Sequence, residues 1–353
     1  MGLPEVHMKF MQKATTAISR STKGIVALIL KDDTKAAGEV IYKGIEEVAT
    51  TDWTADNYDY IAKTFSGTPS KIIIERIVAA ATDYNSALAI LKNKKFNYLA
   101  IPGIVPADTT NIATWIKTQR DTNHKTFKAV LPNCPGDHEG IINLATEDIK
   151  VGEKVYTASQ YTARIAGILA GLPFTRAATY FVLSEVESIK ESTDPNADID
   201  DGKLILINDG ENIKIASGVN SLKTLVSPKG PDWKDILIID KMDFNRDDIT
   251  NTWDEEYVGK VINIYDNKIL FINSVNAYFK TLKNQEEFFD PSSENKADIN
   301  LEAQKTYLES QGTDTTNMKD QDILVANTGK KAFLNAHVKY TNAMQDLDFD
   351  VYM

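Results

Sequence analysis

Four short β-rich runs restrict this chain more than any other feature: residues 24–30 (GIVALIL), 71–77 (KIIIERI), 97–103 (NYLAIPG) and 127–133 (FKAVLPN). Gly/Pro punctuation accompanies these runs, and stretches of helical periodicity lie between them. Strands alternating with helices predict an α/β fold with a sheet covered by helices. A chain of 353 residues supports two or three domains on that plan.

The helical stretches are legible individually. A helix is expected from Tyr84 to Leu91 behind an Asp83 cap, and another over 111–122 with Ile112, Trp115 and Ile116 on one face. A third covers 159–170, where Ala163, Ala166, Gly167 and Ala170 make a small-residue face that admits another backbone, and Gly171-Leu172-Pro173 ends it. Residues 203–208 (KLILIN), the turn Asp209-Gly210 and residues 212–216 (NIKIA) predict a hairpin. Residues 235–240 (DILIID) read as a further strand, followed by helices near 246–264 and 267–283. A polar linker (290–296), a helix (299–310, with Leu301, Tyr307 and Leu308 as its apolar residues), a loop (312–320) and a strand (333–340) complete the body. The expected division is an arm and linker (1–23), an N-terminal α/β subdomain (24–95), a central α/β domain (96–240) and a C-terminal domain (241–353).

Both ends of the chain are written as half-buried strands. Val6, Met8 and Phe10 alternate with His7 and Lys9; Leu347, Phe349, Val351 and Met353 alternate with Asp346, Asp348, Asp350 and Tyr352. A strand reaching the last residue needs a sheet to join. Residues 12–23 (QKATTAISRSTK) are small and polar and suit an extended linker that carries the first strand away from its own domain. Opposite charge on the two polar faces, His7 and Lys9 against the three aspartates, fits a sheet in which the two ends meet. Alternation alone allows that sheet to be shared between subunits or closed within one monomer.

Composition excludes several functions. The net charge is −11, from 50 acidic and 39 basic residues with no basic cluster, so a nucleic-acid partner is not expected. No apolar run is long enough to cross a bilayer, and residues 1–4 (MGLP) lack a secretory pattern, so no membrane partner is expected and the chain is expected to stay in the cytoplasm. The single cysteine, Cys134, allows no intrachain disulfide.

Catalytic motifs are incomplete. His138-Glu139 opens like a zincin helix, but Ile142 stands where the second histidine belongs; Asp137, His124 and Cys134 nearby offer ligand types for a site, but the loop that holds Cys134-Pro135-Gly136 reads as a turn. Asp194, Asn196, Asp198 and Asp200 imitate a calcium loop, but Ile199 replaces its glycine and Ile205 its bidentate glutamate. No phosphate-binding glycine loop, dinucleotide fingerprint or nucleophile elbow is present. Trp53, Trp115, Trp233 and Trp253 are widely spaced and read as packing residues. Neither a metal nor a cofactor is expected, and the chain does not read as an enzyme.

Residues 2–30 (GLPEVHMKFMQKATTAISRSTKGIVALIL), 164–180 (RIAGILAGLPFTRAATY), 204–225 (LILINDGENIKIASGVNSLKTL), 247–268 (DDITNTWDEEYVGKVINIYDNK) and 346–353 (DLDFDVYM) resemble, in this order, segments of the phage tail sheath family. The likeness is to its short members in Gram-positive R-type bacteriocins (diffocin-like), PBSX-like defective prophages and myophages. It implies a multidomain sheath subunit whose N-terminal arm (Val6, His7, Met8, Lys9, Phe10) and C-terminal strand (Asp346, Leu347, Asp348, Phe349, Asp350, Val351, Tyr352) are exchanged between neighbours. It further implies stacked hexameric rings around a tail tube, contraction that drives the tube through a target envelope, and baseplate and terminator or collar proteins as partners. Assembly in a bacterial cytoplasm before release of the particle follows from the same likeness, as does tube contact by the helices over 246–282, with residues 12–23 and 312–320 as tethers.

Overall fold

A computed structural model describes residues 17–285 and 287–353. They divide into two compact units, the larger of residues 21–247 and 342–353, the smaller of residues 17–20 and 248–341.

The larger unit holds strands β1 (Ile25–Lys31), β2 (Gly38–Tyr42), β3 (Lys71–Ile77), β4 (Tyr98–Ala100), β5 (Lys128–Pro132), β6 (Ile141–Leu144), β7 (Ile149–Val151), β8 (Lys154–Tyr156), β9 (Lys203–Leu204), β10 (Leu206–Asn208) and β11 (Ile213–Ile215). Seven of them make one sheet in the order β2-β3-β1-β4-β5-β6-β9, parallel except for the antiparallel edge strand β2. The first six residues of β1 are buried, which is why it reads as an unbroken apolar run: a central parallel strand is covered on both faces. Helices α1 (Ala55–Phe65), α2 (Asn85–Leu91), α3 (Pro106–Asp121), α4 (Ala158–Gly171) and α5 (Pro195–Asp200) surround the strands. Val26, Leu28 and Leu30 pack with the residues of α1 and α4, whereas Ile25, Ala27 and Ile29 pack with those of α2 and α3.

The four expected strands are β1, β3, β4 and β5, and the Asp-Gly hairpin is β10–β11, with Asn208 opposite Ile213. Segments 24–95 and 96–240, expected as separate domains, both give strands to the one sheet. The small-residue face of α4 lies against α1 and the turn after it: a methyl on Gly167 would stand 2.1 Å from the Thr64 carbonyl oxygen, and one on Gly67 2.1 Å from the Gly167 carbonyl carbon. Thr157 and Gln160 close the start of α4 with a reciprocal capping box.

Residues 235–240 are not a strand. Ile236 begins α6 (Ile236–Thr252), a helix shared in sequence by the two units. Ile236, Leu237, Ile238 and Ile239 are all buried, so the first turn of α6 is apolar all round and carries no helical period that would distinguish it from a buried strand.

In the smaller unit α6 ends in a π-helical turn, Trp253–Tyr257, short of the expected 264; Gly259 then takes a positive φ of 73°, which a residue with a side chain resists. Trp253 stacks on Tyr257, and both meet Phe271 edge-on. Helix α7 (Tyr265–Gln285), strand β12 (Lys296–Ile299), helices α8 (Leu301–Ser310) and α9 (Asp320–Val325) and strand β13 (Leu334–His337) follow. The tether expected over 12–23 is docked where it is described: Ile18 is buried, the Ser19 amide donates to Thr252, and Arg20 pairs with Asp248 at 3.5 Å. Farther on, in the larger unit, Lys23 donates to the Leu172 carbonyl over the Phe174 ring.

Candidate assembly surfaces

The segment Asn342–Met353 belongs to the larger unit and contains neither helix nor strand. Its start is tied down, since Asn342 donates to Asp235 at 2.9 Å and Thr179 to Gln345 at 3.2 Å. Beyond that its apolar residues face solvent: Leu347 is 87% exposed, Phe349 74% and Val351 71%. Asp346, Asp348, Asp350 and Tyr352 are exposed between them. Six exposed large apolar side chains from Met344 to Met353 are far more than a chain end ordinarily presents to water. The other predicted strand, Val6, His7, Met8, Lys9 and Phe10, lies outside the described residues, as does the first part of the 12–23 linker.

The smaller unit carries a sheet edge of matching kind. Strands β12 and β13 pair antiparallel, with Lys296 opposite His337 and Ile299 opposite Leu334. The Asn300 amide donates to the Phe333 carbonyl, which sets the phase of the ladder. Asn335 and His337 therefore turn their main-chain groups toward β12, and Leu334 and Ala336 turn theirs away. The opposite edge of the ribbon is closed, because Asn276 bonds both the amide and the carbonyl of Ala297, and Asp298 accepts from the Ile299 amide. Phe279, Phe288, Phe289 and Tyr340 pack as an aromatic cluster beside the ribbon. Among the described residues the ribbon thus offers one open edge, along β13, with a buried face (Ala297, Ile299) and a polar one (Lys296, Asp298, Asn335, His337).

The first half of α6 is held in the larger unit by buried charge. Arg120 grips Asp243 with two bonds of 2.9 Å, Lys128 reaches Asp243 at 2.6 Å and Asp240 at 3.1 Å, and the Tyr98 hydroxyl donates to Asp240. Burial by itself raises the Asp243 carboxyl, but Arg120 and Lys128 overcome it and hold the group below the usual carboxylate range. Sequence reading missed this network, because each of its bonded pairs spans more than a hundred residues and only the topology brings the partners together.

The residues nearest to a metal site are Asp121, His138 and Glu139, whose ligand atoms lie within 4.8 Å of one another. His138 Nδ1 accepts from the Gly140 amide, so its proton is on Nε2, 3.2 Å from Asp121 and 3.7 Å from Glu139. Burial lowers the imidazole below its ordinary range against the pull of Glu139 and Asp121, which keeps it neutral. Glu139 is already met by Lys229 at 2.8 Å and Arg120 at 3.8 Å. A nitrogen that carries hydrogen and a carboxylate facing two cations do not fit a divalent ion. Of the calcium-loop imitation, Asp194 caps α5 and Asp198 pairs with Lys203. Where the strand order reverses beside β1, Asp32 is saturated by Thr34, Thr54 and Asn57. Cys134 is buried, and burial pushes its thiol up.

Residues 78–221 match the family model for the phage tail sheath protein central domain, and residues 228–353 match that for the phage tail sheath C-terminal domain. The chain is 38% identical over 362 residues to the tail sheath protein of Clostridium phage phiCD119, covering 100% of this chain and 99% of that one. Among solved structures, the contracted helical sheath of the anti-feeding prophage aligns with a TM-score of 0.71 at 12% identity, covering 100% of this chain and 99% of that chain. The sheath tail protein from Desulfitobacterium hafniense aligns with a TM-score of 0.69 at 16% identity, covering 84% of this chain and 93% of that one.

Proposed function

The chain belongs to the phage tail sheath protein family, and from that membership we propose that it is the sheath subunit of a contractile injection particle, with no catalytic role. It stacks as hexameric rings around a tail tube, meets baseplate and terminator or collar proteins at the two ends, and contracts to drive the tube through a cell envelope. Assembly takes place in the bacterial cytoplasm. The inner wall and tube contact fall to the C-terminal domain over 241–353.

One observation carries the reading of how subunits hold together: the alternating segment Asp346–Tyr352 is exposed to water, while β13 keeps an open ladder edge among the described residues. An extended peptide that adds to a sheet edge satisfies its own main chain and the edge at once. Leu347, Phe349 and Val351 of one subunit would then continue the buried face of a neighbour's ribbon, and Asp346, Asp348 and Asp350 its polar face. The N-terminal strand Val6–Phe10 is the second exchanged element, and residues 17–23 are the anchored root from which it leaves. Such a contact is heterologous and propagates, which a helical polymer requires.

Negative-stain electron microscopy of the recombinant protein tests this. Wide regular tubes from the full chain, and none from chains lacking residues 1–16 or 346–353, are expected. Uniform globular particles from all three would remove the sheath reading.

A further inference from the structure

Glu39 on β2 and Glu75 on β3 stand directly opposite in the antiparallel register of the sheet edge. Glu75 is 1% exposed and sits beside Ile29 of β1, between Ile73 and Ile77 of its own strand on the same apolar face. Its Oε1 has no hydrogen-bond partner among the described residues. Glu39 is held by Lys94 at 2.6 Å.

The other charged groups around the pair are accounted for. From β1, Lys31 lies on the same face but places its ammonium 5.0 Å over the Tyr84 ring. From β3, Arg76 points to the opposite face, over Trp53, and donates to the Asp52 carbonyl. Helix α2 contributes no titratable side chain, and Lys94 follows it. One ammonium thus serves two carboxyl groups. Burial first, and the facing Glu39 second, push Glu75 up to about 7.

We infer that Glu39 and Glu75 form a proton-dependent latch that fastens the edge strand β2 to the sheet, closed while Glu75 keeps its proton and loosened when that proton passes to solvent. On opening, the O–H bond of Glu75 breaks, the electron pair stays on its carboxylate, and the charge of the pair goes from −1 to −2 against the single charge of Lys94. Because β2 has a neighbour on one side only among the described residues, it can loosen without disturbing any other described ladder.

Hydrogen exchange on the full chain at about pH 6 and about pH 8.5, with labelling times scaled for intrinsic chemistry, reads the latch directly. Protection of residues 38–42 is expected to fall about tenfold between the two conditions, while residues 128–132 hold theirs. In Glu75→Gln, a neutral isostere, the fall is expected to vanish. In Glu39→Gln, which removes the like charge, it is expected to shrink; this variant decides the matter if Glu75→Gln loses protection over 128–132. Equal protection of β2 at both pH values in the native chain, or a fall undiminished in the variants, would overturn the inference.

Discussion

Arg120 and Asp243 meet as a buried bidentate ion pair, 2.9 Å at each contact, with side chains 9% and 8% exposed. The pair ties α3 to α6. Lys128 joins from β5, so three elements close on one carboxylate. Asp243→Ala leaves Arg120 buried without its fork partner, and a loss of about 3–5 kcal/mol is expected in urea denaturation. The folded state holds Asp243 below its unfolded value. Its contribution is therefore complete above about pH 4 and is lost as the pH falls through the lower folded value, so the variant should show a shallower acid limb.

Glu75 has the opposite sign. Its folded value is raised to about 7, so the stability it permits is complete below about pH 4.5 and declines as the pH rises to about 7. Glu75→Gln should flatten that decline and leave the variant more stable than the native chain at about pH 8, by on the order of 2 kcal/mol. Thermal melts across pH measure it.

The close approach of α1 and α4 leaves no room at Gly167, where a methyl would stand 2.1 Å from a carbonyl oxygen. Gly167→Ala should destabilise by about 1–3 kcal/mol or more, even though alanine has the higher helix propensity. A denaturation midpoint below that of the native chain is the expected result, and a gain in stability would show that the two backbones can separate at no cost.

Two proline substitutions separate assembly from folding on β13. The Ala336 amide faces away from β12, so Ala336→Pro should leave the ribbon intact and abolish tube formation. The Asn335 amide faces β12, and Asn335→Pro should destabilise the unit itself. Circular dichroism melts and electron microscopy of both variants distinguish the two effects; tubes from Ala336→Pro would exclude β13 as the accepting edge.

Removing residues 346–353 should change the stability of the soluble subunit by no more than about 0.5 kcal/mol, since Leu347, Phe349 and Val351 bury little in their own chain. Assembly, followed by sedimentation, should be lost. A large drop in melting temperature would mean that the segment packs within its own subunit.

Much of the fold was legible because local signals agreed with it. The apolar runs that became β1, β3, β4 and β5, the Asp-Gly hairpin and the small-residue face of α4 each state a local requirement that the residues show directly. The first turn of α6 was not legible: Ile236 to Ile239 are apolar on every side, and burial on every side erases the period that tells helix from strand. Strand β2 escaped notice because Gly38–Tyr42 is a partly exposed edge strand of mixed composition.

The candidate surfaces divide in the same way. Alternation marked Asp346–Tyr352 as a strand in search of a sheet, and chain-long likeness marked the family; both are properties of residue order. Which edge stands open was decided only in three dimensions, where the ladder phase turns Leu334 and Ala336 outward and the Asn276 side chain closes the far side of β12. The contacts Arg120–Asp243, Glu39–Glu75 and Gly67–Gly167 belong to that second class as well. The sequence by itself determined which segments could become strands or helices, because periodicity is a local property. The tertiary structure alone decided which of them meet, because a contact depends on chain topology that no single segment encodes.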